Sequence, residues 1–512
     1  MIGAARGFEP RGRGPRAALH LLLLVAIGGC HLHPPALPAL HAHSSLQGAI
    51  DATLDDPALA RGTWGVVVRS LKTGETVFER NPQKLLMPAS NMKIATLAAA
   101  ADRLGWSFAY ATRLAMSGSI QNGVLDGDLV VVGSGDPTIG GIDGIADRLF
   151  ADWAERLSRL GIRAIGGRIV GDDNAFDDEE LGFGWSWDDL ADDYAAGVSA
   201  LQYNENAVRI SIAPGPAAGD SAATTADPAA SGVEVVNLVR TGPAGGAPTV
   251  HARRLPGRER LELTGSISLG SAPAILTVSV DNPTLFFVRA FRRALIADGI
   301  DVRGAAVDTD AIDDPPRAPL TAIASSRSAA LSTMAARLMK ASQNQYAETL
   351  LKTLASAGGQ TGSAAAGRAV LQDVFTAWGL SSAGFIVRDG SGLSRYDYIS
   401  AEALAGILAH VYGDDRLREP FLASLPVAGR DGTLANRMKE TAAEGNVRAK
   451  TGSMSNVRAL SGYVTTADGE PLAFAIIANN FETTADVVNR ATDEIVLKLA
   501  EFKTIGTQRP QR

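Results

Sequence analysis

Three short segments, far apart in a chain of 512 residues, constrain its fold more than anything else in it: Ser90-x-x-Lys93, Ser342-Gln343-Asn344 and Lys450-Thr451-Gly452. Of the nine lysines only Lys93 has a serine three positions before it. Pro88-Ala89-Ser90 reads as the start of a helix running to about Leu104, so the hydroxyl and the amine share one helical face. The helix N-terminus favours negative charge developing on the serine. A lysine with its ordinary pKa of about 10.4 is a poor base, and it deprotonates a hydroxyl only when desolvated or set beside a second cation. Lys450 can be that cation. A lone Ser-x-x-Lys arises by chance on solvated helix faces, but three elements in this order do not. A fold that unites them must leave after the first and return 252 residues later.

Rival serine chemistry is poorly supplied. Outside the first 43 residues only His251 and His410 remain, which leaves little for a Ser-His-Asp triad. Asp389-Gly390-Ser391-Gly392 is only a partial nucleophile elbow. A second Lys-Thr-Gly at Lys72–Gly74 precedes the serine and reads as a hairpin turn. Lys450-Thr451-Gly452-Ser453 instead reads as a strand on which the glycine admits a substrate backbone. Lys450 and Thr451 can there hold a carboxylate, and the backbone N–H groups of Ser90 and Ser453 can form an oxyanion hole. A net charge of −7 without a basic run in the body gives no footprint for nucleic acid.

The pattern places strands at both ends of the body. Val66–Glu79 reads as a hairpin, and Asn446–Thr451, Arg458–Thr465 and Leu472–Asn479 as three strands before a helix over Thr484–Phe502. Helical segments are expected at Arg327–Ala355, Ala364–Trp378 and Ala401–Tyr412. Between them, residues 107–318 hold short Gly-bounded strands and a polar stretch, Pro214–Ser231, expected to be a mobile loop. One α/β domain, an antiparallel sheet flanked by helices over 46–106 and 319–505, is thus split by a large, mainly β insertion over 107–318.

The first 30 residues differ from the rest. Arg6, Arg11, Arg13 and Arg16 precede the apolar run Ala17–Ile27, an export signal too short to span a membrane. Ile27-Gly28-Gly29-Cys30 is similar to a bacterial lipoprotein cleavage box, and Cys30 is the sole cysteine. Lipidation of Cys30 and ordinary cleavage near Ala42 both fit. Residues 31–45, with Pro34, Pro35 and Pro38, are expected to be a flexible tether. Membrane contact is expected only through a lipid on Cys30.

With these residues in place, the chain resembles the D-alanyl-D-alanine carboxypeptidase/endopeptidase family, the low-molecular-mass class C penicillin-binding proteins. Further blocks carry the resemblance: Gly127-Asp128-Leu129, Gly133-Ser134-Gly135-Asp136-Pro137-Thr138, Trp185-Ser186-Trp187-Asp188-Asp189-Leu190, Asp389–Arg395 and Leu425–Leu434. Gln343 and Tyr396-Asp397-Tyr398 depart from the family pattern. The resemblance implies a penicillin-binding protein/serine β-lactamase-like domain enclosing two nested domains, and exported hydrolysis of peptidoglycan stem peptides and cross-links without cofactor or metal. It also implies β-lactams as covalent inhibitors. Ser90 would be the nucleophile and Lys93 its base, with Ser342 and Lys450 protonating the leaving group and Asn344 orienting Lys93. Asp189 and Arg395 would bind the ammonium and carboxylate of a zwitterionic, diaminopimelate-like side chain, in a pocket lined by Tyr194 and Ser455. A β-lactamase or esterase on the same scaffold and a non-catalytic cell-wall-binding relative are the alternatives.

Overall fold

The computed structural model describes residues 37–503 apart from 142–143, 230, 256–259 and 317–318; the leader with Cys30 and the start of the expected tether lie outside them. From Leu37 the tether expectation fails, because the backbone is already helical in α1 (Leu37–Leu54). Proline is tolerated in a first helical turn. Beyond it Leu46, Ile50 and Leu54 recur every fourth residue and are buried, each worth about 1.5–3 kcal/mol.

Strands β1 (Thr63–Ser70) and β2 (Thr76–Arg80) form a hairpin with Gly74 at its turn (φ 80°), so the first Lys-Thr-Gly is structural. A 3₁₀ turn at Ala89–Asn91 opens α2 (Met92–Leu104). The insertion follows: β3 (Ala111–Met116), β4 (Leu129–Val132), α3 (Ile145–Arg159), β5 (Ile169–Asp172), β6 (Ala207–Ala213), β7 (Ala223–Asp227), β8 (Ala274–Ser279), α4 (Pro283–Ala297), β9 (Ala306–Asp308) and β10 (Thr321–Arg327) are its main elements. The chain returns through α5 (Leu331–Lys340), α6 (Asn344–Ser356), α7 (Ala364–Ala377), α8 (Ala401–Gly413) and α9 (Asp415–Ser424) to β11 (Arg448–Met454), β12 (Val457–Thr465), β13 (Pro471–Asn479) and α10 (Ala485–Glu501).

The catalytic sheet has the order β2-β1-β13-β12-β11 and is antiparallel throughout. Its period-2 alternation serves two cores. Ala473, Ala475 and Ile477 of β13 face α2 and α5–α9, whereas Leu472, Phe474, Ile476 and Ala478 pack with α1 and α10. Both faces are covered, which is why β13 reads as a nearly continuous apolar run.

Three expectations need correction. β10 pairs antiparallel with β3, so the return to the catalytic layer comes after Arg327 rather than at 319. The polar stretch Pro214–Ser231 contains β7, which pairs with β6 over Ala223–Asp227. Its side chains alternate exposed and half-buried, with Ala226 against the insertion's core, so backbone pairing and one modest apolar contact recruit it. The expected helix Arg327–Ala355 is two helices broken before Asn344, with Ser342 at φ 60°. The insertion also carries two 15-residue helices, α3 and α4. They pack through Phe150 against Phe287 and Phe291, and Trp153 against Phe291.

Candidate active site

Each motif reaches the site on a different element. Ser90 sits in the 3₁₀ turn and Lys93 one turn on, in α2. Ser342 occupies the break between α5 and α6, whose left-handed backbone turns the chain so that Asn344 begins α6. Lys450 lies on β11, and Asn91 Nδ2 donates to its carbonyl at 3.0 Å, tying the serine turn to the strand.

The Lys93 side chain is fully buried. Its Nζ donates to Ser90 Oγ (2.8 Å), Asn344 Oδ1 (2.6 Å) and the Ser391 carbonyl (2.9 Å). An ammonium fills all three positions, whereas the neutral amine has a lone pair free to accept the Ser90 proton. Burial lowers the pKa to about 7, while the charges of Asp389 and Glu348 act upward. Desolvation, rather than Lys450, is thus the main cause. Lys450 Nζ donates to Ser342 Oγ and to the Thr451 carbonyl, both at 2.9 Å. Burial and then the nearby Lys93 charge hold it well below the ordinary lysine range.

The other expected residues fall around this pair. A cavity of about 280 Å³ is lined by Ser90, Ser342 and Asn344 together with Asp189, Tyr194, Arg395, Ser453 and Ser455. The insertion touches the catalytic residues directly. Tyr194 Oη donates to Asp189 Oδ1 (2.8 Å) and Asn344 Nδ2 to the Tyr194 carbonyl (2.7 Å). Thr451 is buried, and its hydroxyl donates to Thr433 Oγ1 at 2.7 Å. Gly452 has a structural reason beside the expected one: a Cβ there would lie 2.5 Å from the Pro88 carbonyl, so the glycine lets the serine turn approach the strand. Gly392 (φ 83°) packs as tightly, since a Cβ would meet the Ala89 carbonyl at 1.9 Å.

The rivals are accounted for. His410 stacks on Trp378 with ring centroids 4.0 Å apart, and His251 lies on a strand of the insertion. Ser391 is buried, its hydroxyl donating to Asp389. Gln343 caps α6 and donates to Glu205 at 2.7 Å. Tyr396 is exposed and packs on Phe183, ring centroids 5.6 Å apart. Sequence reasoning missed the buried carboxylate Glu348, and it gave no role to Asp389, read as part of a decoy and of a family-like block, or to Asp397, named only in a departure from the family pattern. Helical spacing held a signal for Glu348: it follows Asn344 by four residues, a charge on a face that must be buried.

Comparisons with known proteins place most of the chain in one family. The family model described as D-Ala-D-Ala carboxypeptidase 3 (S13) matches residues 46–501. A D-alanyl-D-alanine carboxypeptidase of Actinomadura sp. (strain R39) is 36% identical over 483 residues, 91% of this chain and 86% of the relative. The D-alanyl-D-alanine carboxypeptidase DacB of Haemophilus influenzae is 27% identical over 429 residues, 82% of this chain and 86% of the relative. A crystal structure of penicillin-binding protein 4 (DacB) from Haemophilus influenzae superposes with a TM-score of 0.78 at 25% identity, covering 90% of this chain and 99% of the other. A second structure of that protein, complexed with a β-lactam, has a TM-score of 0.70 at 24% identity over 88% of this chain and 97% of the other.

Proposed function

Because the chain belongs to the D-Ala-D-Ala carboxypeptidase (S13) family, and is a penicillin-binding serine peptidase of that family, we propose that Ser90 is the nucleophile with which it cleaves D-alanyl peptide bonds of peptidoglycan, in free stem peptides and in cross-links. One observation carries the assignment of roles: the buried Lys93 amine lies 2.8 Å from Ser90 Oγ, and a second buried lysine lies 2.9 Å from Ser342 Oγ.

Ser90 Oγ attacks the carbonyl carbon of the penultimate residue, and its proton passes to Lys93 Nζ. The C–N bond then breaks. The departing amine takes a proton from Ser342, Lys450 resupplies Ser342 and is recharged by the proton held on Lys93, so Lys93 is neutral again while the acyl group stays on Ser90. Water then gives a proton to Lys93 as it attacks the acyl carbon, and Lys93 returns that proton to Ser90 Oγ as the ester bond breaks, so that one peptide bond and one water are consumed. The backbone N–H groups of Ser90 and Ser453 stabilise the oxyanion, and Lys450 with Thr451 holds the substrate carboxylate. Asp189, positioned by Tyr194, and Arg395 bind a zwitterionic side chain of the stem peptide, with Ser455 beside them.

Export follows from the leader, since this polymer lies outside the cytoplasm, and a lipid on Cys30 would hold the chain at the envelope. Among the described residues no helix is long and apolar enough to cross a membrane.

Intact-protein mass spectrometry with benzylpenicillin tests the assignment. A single adduct on wild type that is absent from Ser90→Ala is expected; no adduct on wild type, or one that persists in the variant, refutes it. Slow loss of the adduct, with faster cleavage of muropeptides, separates a D,D-peptidase from a β-lactamase on the same scaffold. A chain that acylates but cleaves no muropeptide would be the non-catalytic relative.

A further inference from the structure

Glu348, Asp389 and Asp397, which take no part in the steps above, are buried in the wall behind the Lys93 amine. Glu348 lies one helical turn beyond Asn344 on α6, so both project from one face. Asn344 takes a hydrogen bond from Lys93 directly. Glu348 acts one step removed: its carboxylate accepts the N–H of Gly390 (2.9 Å) and of Ser391 (2.8 Å). The next peptide plane is gripped at both ends. The Ser391 carbonyl accepts from Lys93 Nζ at 2.9 Å, and the Gly392 N–H donates to Asp389 Oδ1 at 2.7 Å. Asp389 Oδ2 accepts in turn from Ser394 N (2.6 Å) and from Trp185 Nε1 of the insertion (2.9 Å). A peptide held between an amine and a carboxylate polarises, which strengthens both bonds.

We propose that Glu348 is a positioning residue of the acylation step: with Asp389, through the backbone of residues 390–392, it holds the Ser391 carbonyl on the Lys93 amine and supplies negative charge that strengthens the amine's hold on its proton. The inference rests on Lys93 being the base. The charged groups around the amine are Glu348 from α6, Asp389 and Asp397 from the loop, and Lys450 from β11. Desolvation lowers the Lys93 pKa and the charges of Asp389 and Glu348 oppose it, leaving a value of about 7, where a group both takes and returns a proton. Burial and then the Asp389 charge act to raise Glu348, but each of its two oxygens accepts a backbone N–H, which favours the anion. Asp397, raised well above the usual carboxylate range by burial and the Asp389 charge, keeps its proton instead, so the wall does not accumulate three full charges.

Glu348→Gln and Glu348→Asp, with Asp389→Asn as a second route to the same charge loss, test the proposal through the pH profile of Ser90 acylation by a fluorescent penicillin. Removing an anion disfavours the ammonium, so the neutral amine persists to lower pH. The acid limb of the profile should move down by about one pH unit in Glu348→Gln and Asp389→Asn, with acylation at the plateau reduced about 10-fold or more as the loop loosens. Glu348→Asp keeps the charge and should keep the wild-type limb. Limbs that coincide in wild type and both neutral variants, whatever the plateau, overturn the proposal. So does failure of both neutral variants to fold, since the carboxylates would then serve the fold alone. A wild-type chain that acylates at no pH would instead remove the underlying assignment of Ser90 and Lys93.

Discussion

Exchanging Asn344 for aspartate changes one atom's charge at the point where the base is held, and its consequence can be worked in sign and size. Asn344 Oδ1 accepts from Lys93 Nζ at 2.6 Å, so Asn344→Asp sets a carboxylate against the amine without altering its shape. An opposite charge at that range raises an amine's pKa by about 1–3 units. Taking two units, Lys93 moves from about 7 to about 9, and at pH 7.5 the neutral fraction falls from about three quarters to about 3%. Acylation by penicillin, followed by stopped-flow fluorescence, should therefore drop about 25-fold at pH 7.5 and recover most of that loss by about pH 10. Asn344→Ala should move the limb the other way, because the ammonium loses an acceptor. Both variants lose the Nδ2 hydrogen bond to the Tyr194 carbonyl, which costs about 1–3 kcal/mol of stability where that group is left unpaired. A rate for Asn344→Asp that matches wild type at pH 7.5, or one that is slow without alkaline recovery, would refute the view that Lys93 must be neutral to act.

Gly452→Ala forces a Cβ to within 2.5 Å of the Pro88 carbonyl, so thermal unfolding should show a loss of about 1–3 kcal/mol and the displaced serine turn should acylate more slowly; a variant as stable and as fast as wild type would mean the turn is not packed on the strand. Asp189→Ala and Arg395→Ala should each raise KM for purified muropeptides at least about 10-fold while leaving a minimal acyl-D-Ala-D-Ala peptide unaffected, as steady-state kinetics on both substrates would read; equal effects on the two would remove the side-chain pocket. Acylation by penicillin in wild type should fall about 10-fold for each pH unit below about 7, the limb set by the Lys93 amine; a rate that is flat down to pH 5 would exclude it as the base. Cys30→Ser should abolish fatty-acid labelling and membrane association but not export; unchanged labelling would place any lipid elsewhere.

What the amino-acid sequence determined by itself was everything carried by local spacing and by residue type. The Ser90–Lys93 pair is fixed by a helical i, i+3 relation, the five strands of the catalytic sheet by apolar alternation or continuous burial, and the shared site by three motifs whose chemistry is useless apart. Where local pattern and tertiary demand diverge, the sequence misleads. Helical patterns on either side of Ala341–Gln343, with no Gly or Pro between them, read as one helix, and only the contact between Ser342 and Lys450 reveals why it must break there. Residues 37–45 look like a tether because their docking face, Leu46, Ile50 and Leu54, lies beyond them. β7 buries little of its own, Ala226 alone packing on the core, and is held chiefly by backbone pairing with β6. The buried carboxylates are the clearest case. Glu348 and Asp389 lie 41 positions apart in the numbering, and they acquire meaning only when α6 and the 388–397 loop close on Lys93. Electrostatic influence depends on distance and desolvation through space, and neither quantity is written in the order of residues along the chain.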